Sequence, residues 1–86
     1  MAFSKVEISR SAVKDLRGID RSWIPKIIAA AEALEFNPRP PESRKLVGSK
    51  HTYRLRIGDY RMIYHIQTEP RILLVTRIRH RRDVYR

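Results

Sequence analysis

Arg54, Arg56 and Arg61 stand in two short runs of alternating polar and apolar residues, 52–57 and 60–66, separated only by Gly58-Asp59. A two-residue loop with glycine first predicts a type II′ hairpin. Such a loop permits one register: Ile57 faces Tyr60, Arg56 faces Arg61, Leu55 faces Met62, Arg54 faces Ile63 and Tyr53 faces Tyr64. One face of the hairpin then carries Arg54, Arg56, Arg61, Ile63 and His65. The other carries Tyr53, Leu55, Ile57, Tyr60, Met62 and Tyr64. If the apolar strand predicted at 72–79 neighbours this hairpin, its tail brings Arg81 to the same concavity, with His80 as a further candidate there.

Arginines held directly opposite one another repel by roughly 0.2–1 kcal/mol per pair, and a bound anion reverses the sign of that term. A shallow cationic bowl with one titratable group beside it suits cleavage of an RNA phosphodiester. The 2′-hydroxyl loses a proton and attacks phosphorus, the transition state gains negative charge, and the 5′-oxygen leaves and takes a proton. Cationic donors stabilise that charge, and histidine is the side chain that titrates nearest neutrality. His80 is the best-placed acid or base. His65 lies far along the arginine face and His51 lies in a loop. Tyr85 is placed to stack on a base or to pack back on the sheet. None of the three histidines has a carboxylate or thiol partner at ligand spacing, so no metal and no cofactor is expected. Two other readings use the same bowl: a nucleic-acid-binding module without chemistry, or a holder of carboxylates from an acidic partner.

The elements that must position these groups follow from periodicity. Residues 3–8 alternate as a strand. Ser9 or Ser11 caps a helix carrying Val13 and Leu16, which Gly18 ends. A second helix begins at Asp20 or Ser22, tolerates Pro25 in its first turn, and has an apolar stripe of Trp23, Ile24, Ile27, Ile28, Ala31 and Leu34. Asn37-Pro38-Arg39-Pro40-Pro41 is a stiff connection, Lys45-Leu46-Val47 a short strand, and 72–79 a nearly continuous apolar run suited to a central strand. The order is β-α-α-β-β-β-β, an α+β fold with two helices packed on one face of a mostly antiparallel sheet.

Composition narrows the class further. The chain has 86 residues, 19 Lys or Arg against 9 Asp or Glu, and no cysteine. One domain spanning 1–86 is expected, since two halves would each lack a sufficient core. The formal charge is +10, and residues 44–86 carry +9 of it. That half reads as a surface for polyanions, and the bias to arginine favours bidentate recognition of phosphate or carboxylate. The absence of cysteine excludes a disulfide scaffold and a thiol nucleophile. Apolar runs stop at four or five residues, so a soluble cytoplasmic domain without a membrane span is expected.

The stretches Asn37–Pro41, Lys45–Gly48, Tyr53-Arg54-Leu55-Arg56-Ile57-Gly58-Asp59-Tyr60-Arg61-Met62-Ile63-Tyr64 and Arg79-His80-Arg81-Arg82-Asp83-Val84-Tyr85 resemble the RelE/ParE superfamily of bacterial and archaeal toxins, on its RelE side, over essentially the whole chain. The resemblance implies the toxin of a type II toxin–antitoxin system: a ribosome-dependent, metal-independent endoribonuclease that cuts mRNA in the 30S A site. It implies a RelB-like or other acidic antitoxin as partner, and operator DNA bound only through the antitoxin complex. By the same resemblance Arg54, Arg56, Arg61, Arg81 and Tyr85 match family site residues, and many relatives have histidine where His80 stands. The chain departs from well-known members at Arg54 and Arg56, where they carry lysine, and at Arg79, where glycine is common. Arginine stays protonated and is a poor base, which shifts the proton-transfer role toward His80. The superfamily also contains ParE-like inhibitors of DNA gyrase, which share the fold.

Overall fold

Side-chain alternation in the second half of the chain builds a sheet, and the two helical stripes of the first half cover one side of it. The computed structural model describes residues 5–68 and 71–84. In chain order the elements are β1 (Lys5–Ile8), α1 (Arg10–Arg17), α2 (Ile24–Ala33), β2 (Ser43–Lys45), β3 (Thr52–Ile57), β4 (Tyr60–Gln67), β5 (Ile72–His80) and a short helix α3 (Arg81–Val84). The five strands lie in the order β1-β5-β4-β3-β2. All neighbours are antiparallel except β1 and β5, which is the mostly antiparallel α+β arrangement expected. Ala12, Ile27 and Ala31 from the helices, with Leu34 just past α2, pack on Tyr53, Leu55, Met62, Tyr64, Leu73 and Val75 from the sheet.

The hairpin has the register its loop dictates, Ile57 opposite Tyr60 through Tyr53 opposite Tyr64. Gly58 has φ +58°, and no described non-glycine residue has a positive φ. A positive φ at the first loop position alone is the type II′ signature.

Local hydrogen bonds place the helices. The Ala12 N–H donates to Ser9 Oγ at 3.1 Å, making Ser9 the cap of α1. The second helix starts at Ile24, later than Asp20 or Ser22. The Asp20 carboxylate accepts the Ser22 N–H and hydroxyl, both at 2.9 Å, and so closes a turn instead of capping a helix. The backbone bond from Ser22, then its hydroxyl, hold the Asp20 carboxyl below its usual range. Strand β2 also moves, to residues 43–45 from the expected 45–47. The Ser43 N–H and hydroxyl both bond the Pro40 carbonyl, at 2.9 and 2.7 Å, so pairing begins directly after the prolines. Val47 is fully exposed beside Gly48, whose φ is +82°.

Strand β5 contains the irregularity that matters most. Tyr64 faces Val75 but Ile63 faces Arg77, leaving Thr76 as an extra residue. Its hydroxyl donates to the Ile63 carbonyl at 3.1 Å, and its carbonyl accepts the Ser9 hydroxyl at 3.0 Å. This bulge inverts the alternation of everything after it. Leu73, Val75 and Ile78 all reach the core, and Arg77 and Arg79 are turned away from it.

Past Val75, β5 has no neighbour on the β1 side, and α1 covers that edge. Asp15 accepts three donors there: Arg77 Nε at 3.0 Å, Arg77 Nη2 at 3.2 Å and the Ile78 N–H at 2.9 Å. Charge-assisted bonds to a half-buried carboxylate contribute roughly 1.5–3 kcal/mol. Asp15→Ala is therefore expected to lower the urea midpoint by a stability loss in that range with an unchanged m-value. A midpoint equal to wild type would show that the edge needs no cap.

Tyr64 is fully buried, and its hydroxyl donates to the Pro38 carbonyl at 2.7 Å. Burial is the main cause that pushes its phenol above the ordinary 10.0. A raised folded-state value means that this stabilisation is complete below about pH 10 and is lost as pH rises through the folded value. The stability advantage of wild type over Tyr64→Phe, about 1 kcal/mol at neutral pH, is expected to shrink between pH 9 and 11. Denaturant titrations at the two pH values check the sign, and a widening gap would contradict it.

Candidate functional site

The row of arginines spans three strands. Arg56 on β3 faces Arg61 on β4, and Arg61 faces Arg79 on β5. Two residues back along β3, Arg54 faces Ile63 on one side and Arg44 of β2 on the other. Like charges paired this way destabilise the empty sheet, so the arrangement suits an anion.

Around this row the surface forms two adjoining depressions. One, of about 320 Å3, is lined by Arg56, Gly58, Asp59, Arg61 and Arg81. The other, of about 450 Å3, shares Arg56 and Gly58 and adds Glu42, Arg44 and Arg54. Within the first, Arg61 is only 4 % exposed, whereas Arg56 and Arg81 are exposed. Arg61 is the one charged side chain buried among the described residues. The expectation was a shallow bowl. Its central arginine is buried instead, because β4 is flanked on both sides and the chain turns into α3 beside it.

The hairpin loop positions Arg81. Its N–H donates to the Asp59 carbonyl at 2.7 Å, and its guanidinium lies 3.8 Å from the Asp59 carboxylate. The loop in turn abuts α2. The Trp23 ring lies against Gly58 and 5.6 Å from the Tyr60 ring, with Lys26 Nζ 4.7 Å above it. Trp23, expected in the apolar stripe of the second helix, thus also backs the loop that carries Asp59.

The structure gathers Arg54, Arg56, Arg61 and Arg81 on one face and separates His80 from them. His80 faces Tyr60, on the helix side, with ring centroids 5.2 Å apart and nearly perpendicular. This corrects the expectation that His80 joins the arginine concavity. The cause is the Thr76 bulge, which puts Arg79 where strict alternation would put His80. His80 Nδ1 accepts the Arg82 N–H at 3.2 Å, so the neutral ring carries its proton on Nε2. His65 lies on the arginine face beside Thr52, 3.4 Å from its hydroxyl, and near His51. Tyr85 lies outside the described residues. Among those residues no three His, Asp or Glu side chains converge, and no helix is long and apolar enough to cross a membrane.

Chemically, a buried arginine between two exposed ones offers a fixed fork of donors at the floor and adaptable donors at the rim. That set can hold a phosphate and neutralise charge that builds on it.

Residues 6–85 match the family described as the ParE toxin of the type II toxin–antitoxin system parDE. The chain is 34% identical over 84 residues to the putative toxin RelE1 of Methanocaldococcus jannaschii, covering 94% of this chain and 93% of that protein. It is 30% identical over 89 residues to toxin RelG of Mycobacterium tuberculosis, covering 94% of each. Among solved structures, the archaeal RelE–RelB complex from Pyrococcus horikoshii contains a chain that superposes with a TM-score of 0.80 at 27% identity, covering 92% of this chain and 96% of that one. The fold is thus that of a small α+β toxin. The chain belongs to the RelE/ParE superfamily of type II toxin–antitoxin systems.

Proposed function

We propose that this toxin is a ribosome-dependent endoribonuclease that cleaves mRNA in the A site and thereby stops translation in the cytoplasm. The observation that carries the reading is the depression with Arg61 at its floor and Arg56 and Arg81 at its rim. In the proposed step the 2′-oxygen bonds to phosphorus and the bond to the 5′-oxygen breaks, leaving a cyclic phosphate. The 2′-hydroxyl proton passes to water, and the departing 5′-oxygen takes a proton from water. Arg54, Arg56, Arg61 and Arg81 stabilise the charge on the non-bridging oxygens. Tyr85 is proposed to stack on a base of the substrate. His80 is proposed to contact substrate through Nε2 outside the reacting bond, since it faces Tyr60 on the other side of the sheet. The experiment is translation-coupled cleavage with purified protein and ribosomes. Transcripts left intact by wild type would sink the reading.

The partner proposed is a RelB-like antitoxin with an acidic, partly disordered segment that orders on the cationic face. The matched Pyrococcus horikoshii structure is itself a RelE–RelB complex. Operator DNA is proposed to be bound only through such a complex. A second reading rests on the name of the matching family, ParE: inhibition of DNA gyrase without RNA cleavage. Induced cells distinguish the two, since the first arrests protein synthesis before DNA breaks appear and the second reverses that order.

A further inference from the structure

Beyond the arginine depression, a cleft runs between α1 and the part of β5 that β1 does not cover. It has a volume of about 590 Å3, and its walls include Lys14, Ile19, Tyr60, Ile78, Arg79 and His80. We propose that this cleft is a second RNA subsite, holding one nucleotide next to the nucleotide whose phosphodiester lies on the arginine row. The proposal rests on the RNA reading above and extends it to substrate contact outside the reacting bond.

Four observations converge. First, Arg79 belongs to both places. It faces Arg61 in the sheet register and also lines the cleft, so it links the row to the cleft around the edge of β5. Second, the cleft's available charge is positive. Arg77 is neutralised by Asp15 through two bonds, whereas neither Lys14 nor Arg79 forms an ion pair among the described residues. Two cations at the rim can each contact a phosphate. Third, the inner wall is apolar and aromatic: Ile19 and Ile78 are buried, and the Tyr60 and His80 rings meet edge to face. Tyr60 is itself buried, so the half-buried His80 ring is the aromatic surface that a base can meet there, independent of sequence. The Arg82 N–H orients the His80 ring through Nδ1 and leaves Nε2–H as a donor for a base edge or a 2′-hydroxyl.

Fourth, the obvious competitor is obstructed. An acidic peptide would most simply occupy this side by adding a strand to the part of the β5 edge that β1 leaves unpaired. The Ile78 N–H on that edge is already taken by Asp15 at 2.9 Å, so strand addition would have to break a charge-assisted bond. A nucleotide needs only the rim cations and the wall.

The test uses full-length protein and a fluorescein-labelled single-stranded RNA hexamer, fully 2′-O-methylated so that it cannot be cut. Binding is read by anisotropy between 50 and 200 mM salt. Each phosphate contact to a single strand contributes about 0.7 to the slope of log affinity against log salt. Lys14→Ala with Arg79→Ala is expected to weaken binding by on the order of tenfold at low salt and to flatten that slope by roughly 1.4. Arg79→Lys is expected to restore about half of the flattening. Affinity and slope matching wild type in the double variant, with an unchanged circular dichroism spectrum, would overturn the proposal. So would unchanged RNA binding combined with lost binding of a hexaglutamate peptide. Because the RNA cannot be cleaved, the outcome is separate from the function reading. A wild type that cuts mRNA with no double-variant defect sinks the subsite alone, and a defect in a protein that never cuts mRNA sinks the cleavage reading alone.

Discussion

Replacing Arg56 and Arg81 together by alanine is expected to lower translation-coupled mRNA cleavage by at least about 10³-fold while leaving the fold intact. Removing a single preorganised donor from a site where charge develops costs roughly 10²–10³ in rate. Two donors on the same phosphate act as a unit, so the combined loss is not a simple product. The choice of residues follows from burial. Arg56 and Arg81 are exposed, and the ion pair of Arg81 with Asp59 is long, at 3.8 Å, and solvated, so truncation costs little stability. Arg61 is a poorer first test because it is 4 % exposed. Its truncation leaves a void and strips partners of their bond in one step, mixing lost chemistry with lost packing. A lysine pair at 56 and 81 is expected to recover part of the activity. The charge returns but the planar fork that grips two phosphate oxygens does not. Primer extension on a translated message, with thermal denaturation run alongside, reads both quantities. Cleavage within tenfold of wild type in the alanine pair would remove the arginine depression from the reaction.

The largest expected effect on stability comes from a site with no charge. Gly58→Ala is expected to cost about 2–4 kcal/mol, and two causes add. The loop holds Gly58 at φ +58°, in the part of conformational space a type II′ turn reserves for glycine, where a side chain costs on the order of 1–3 kcal/mol. A Cβ built there would also overlap the Trp23 ring at Cη2 and Cζ3. Trp23 has little freedom to retreat, since it packs on Tyr60 and against the core. Against a total stability of about 5–15 kcal/mol for a small domain, such a loss is a large share. Urea titration followed by the fluorescence of Trp23, the single tryptophan, reports it directly. A second consequence separates this loop from a passive connection. Asp59 anchors Arg81 through its carbonyl and carboxylate, so the variant is expected to lose cleavage even at temperatures where it stays folded. A Gly58→Ala protein with wild-type stability would mean that Trp23 gives way at no cost.

Residues 52–66 carried enough information for their own geometry. A two-residue loop allows one register, and period-2 alternation then assigns every side chain to a face. Arg54, Arg56 and Arg61 are therefore legible as a cationic face, and Tyr53, Leu55, Met62 and Tyr64 as its buried reverse, without any tertiary contact. The cap, narrowed to Ser9 or Ser11, is equally local, whereas the second helix ends at Ala33, ahead of the prolines. The apolar run of β5 was legible as a strand, but not which way its end faces. That depended on Thr76, whose bulge is held by the Ser9 hydroxyl, 67 residues away, and by the Ile63 carbonyl on the neighbouring strand. Strict alternation from Leu73 and Val75 would have buried Arg77 and Arg79 and sent His80 to the arginine face. One unpaired residue reverses the outcome: Arg79 joins the row, His80 meets Tyr60, and Arg77 becomes the partner of Asp15. The burial of Arg61 was hidden for a related reason. Alternation says which side of a sheet a residue faces, but its depth depends on the strands that flank it and on the chain that folds over the end of the sheet. Charge type and face are properties of the local sequence, whereas their assembly into one depression and one cleft required contacts between residues far apart along the chain.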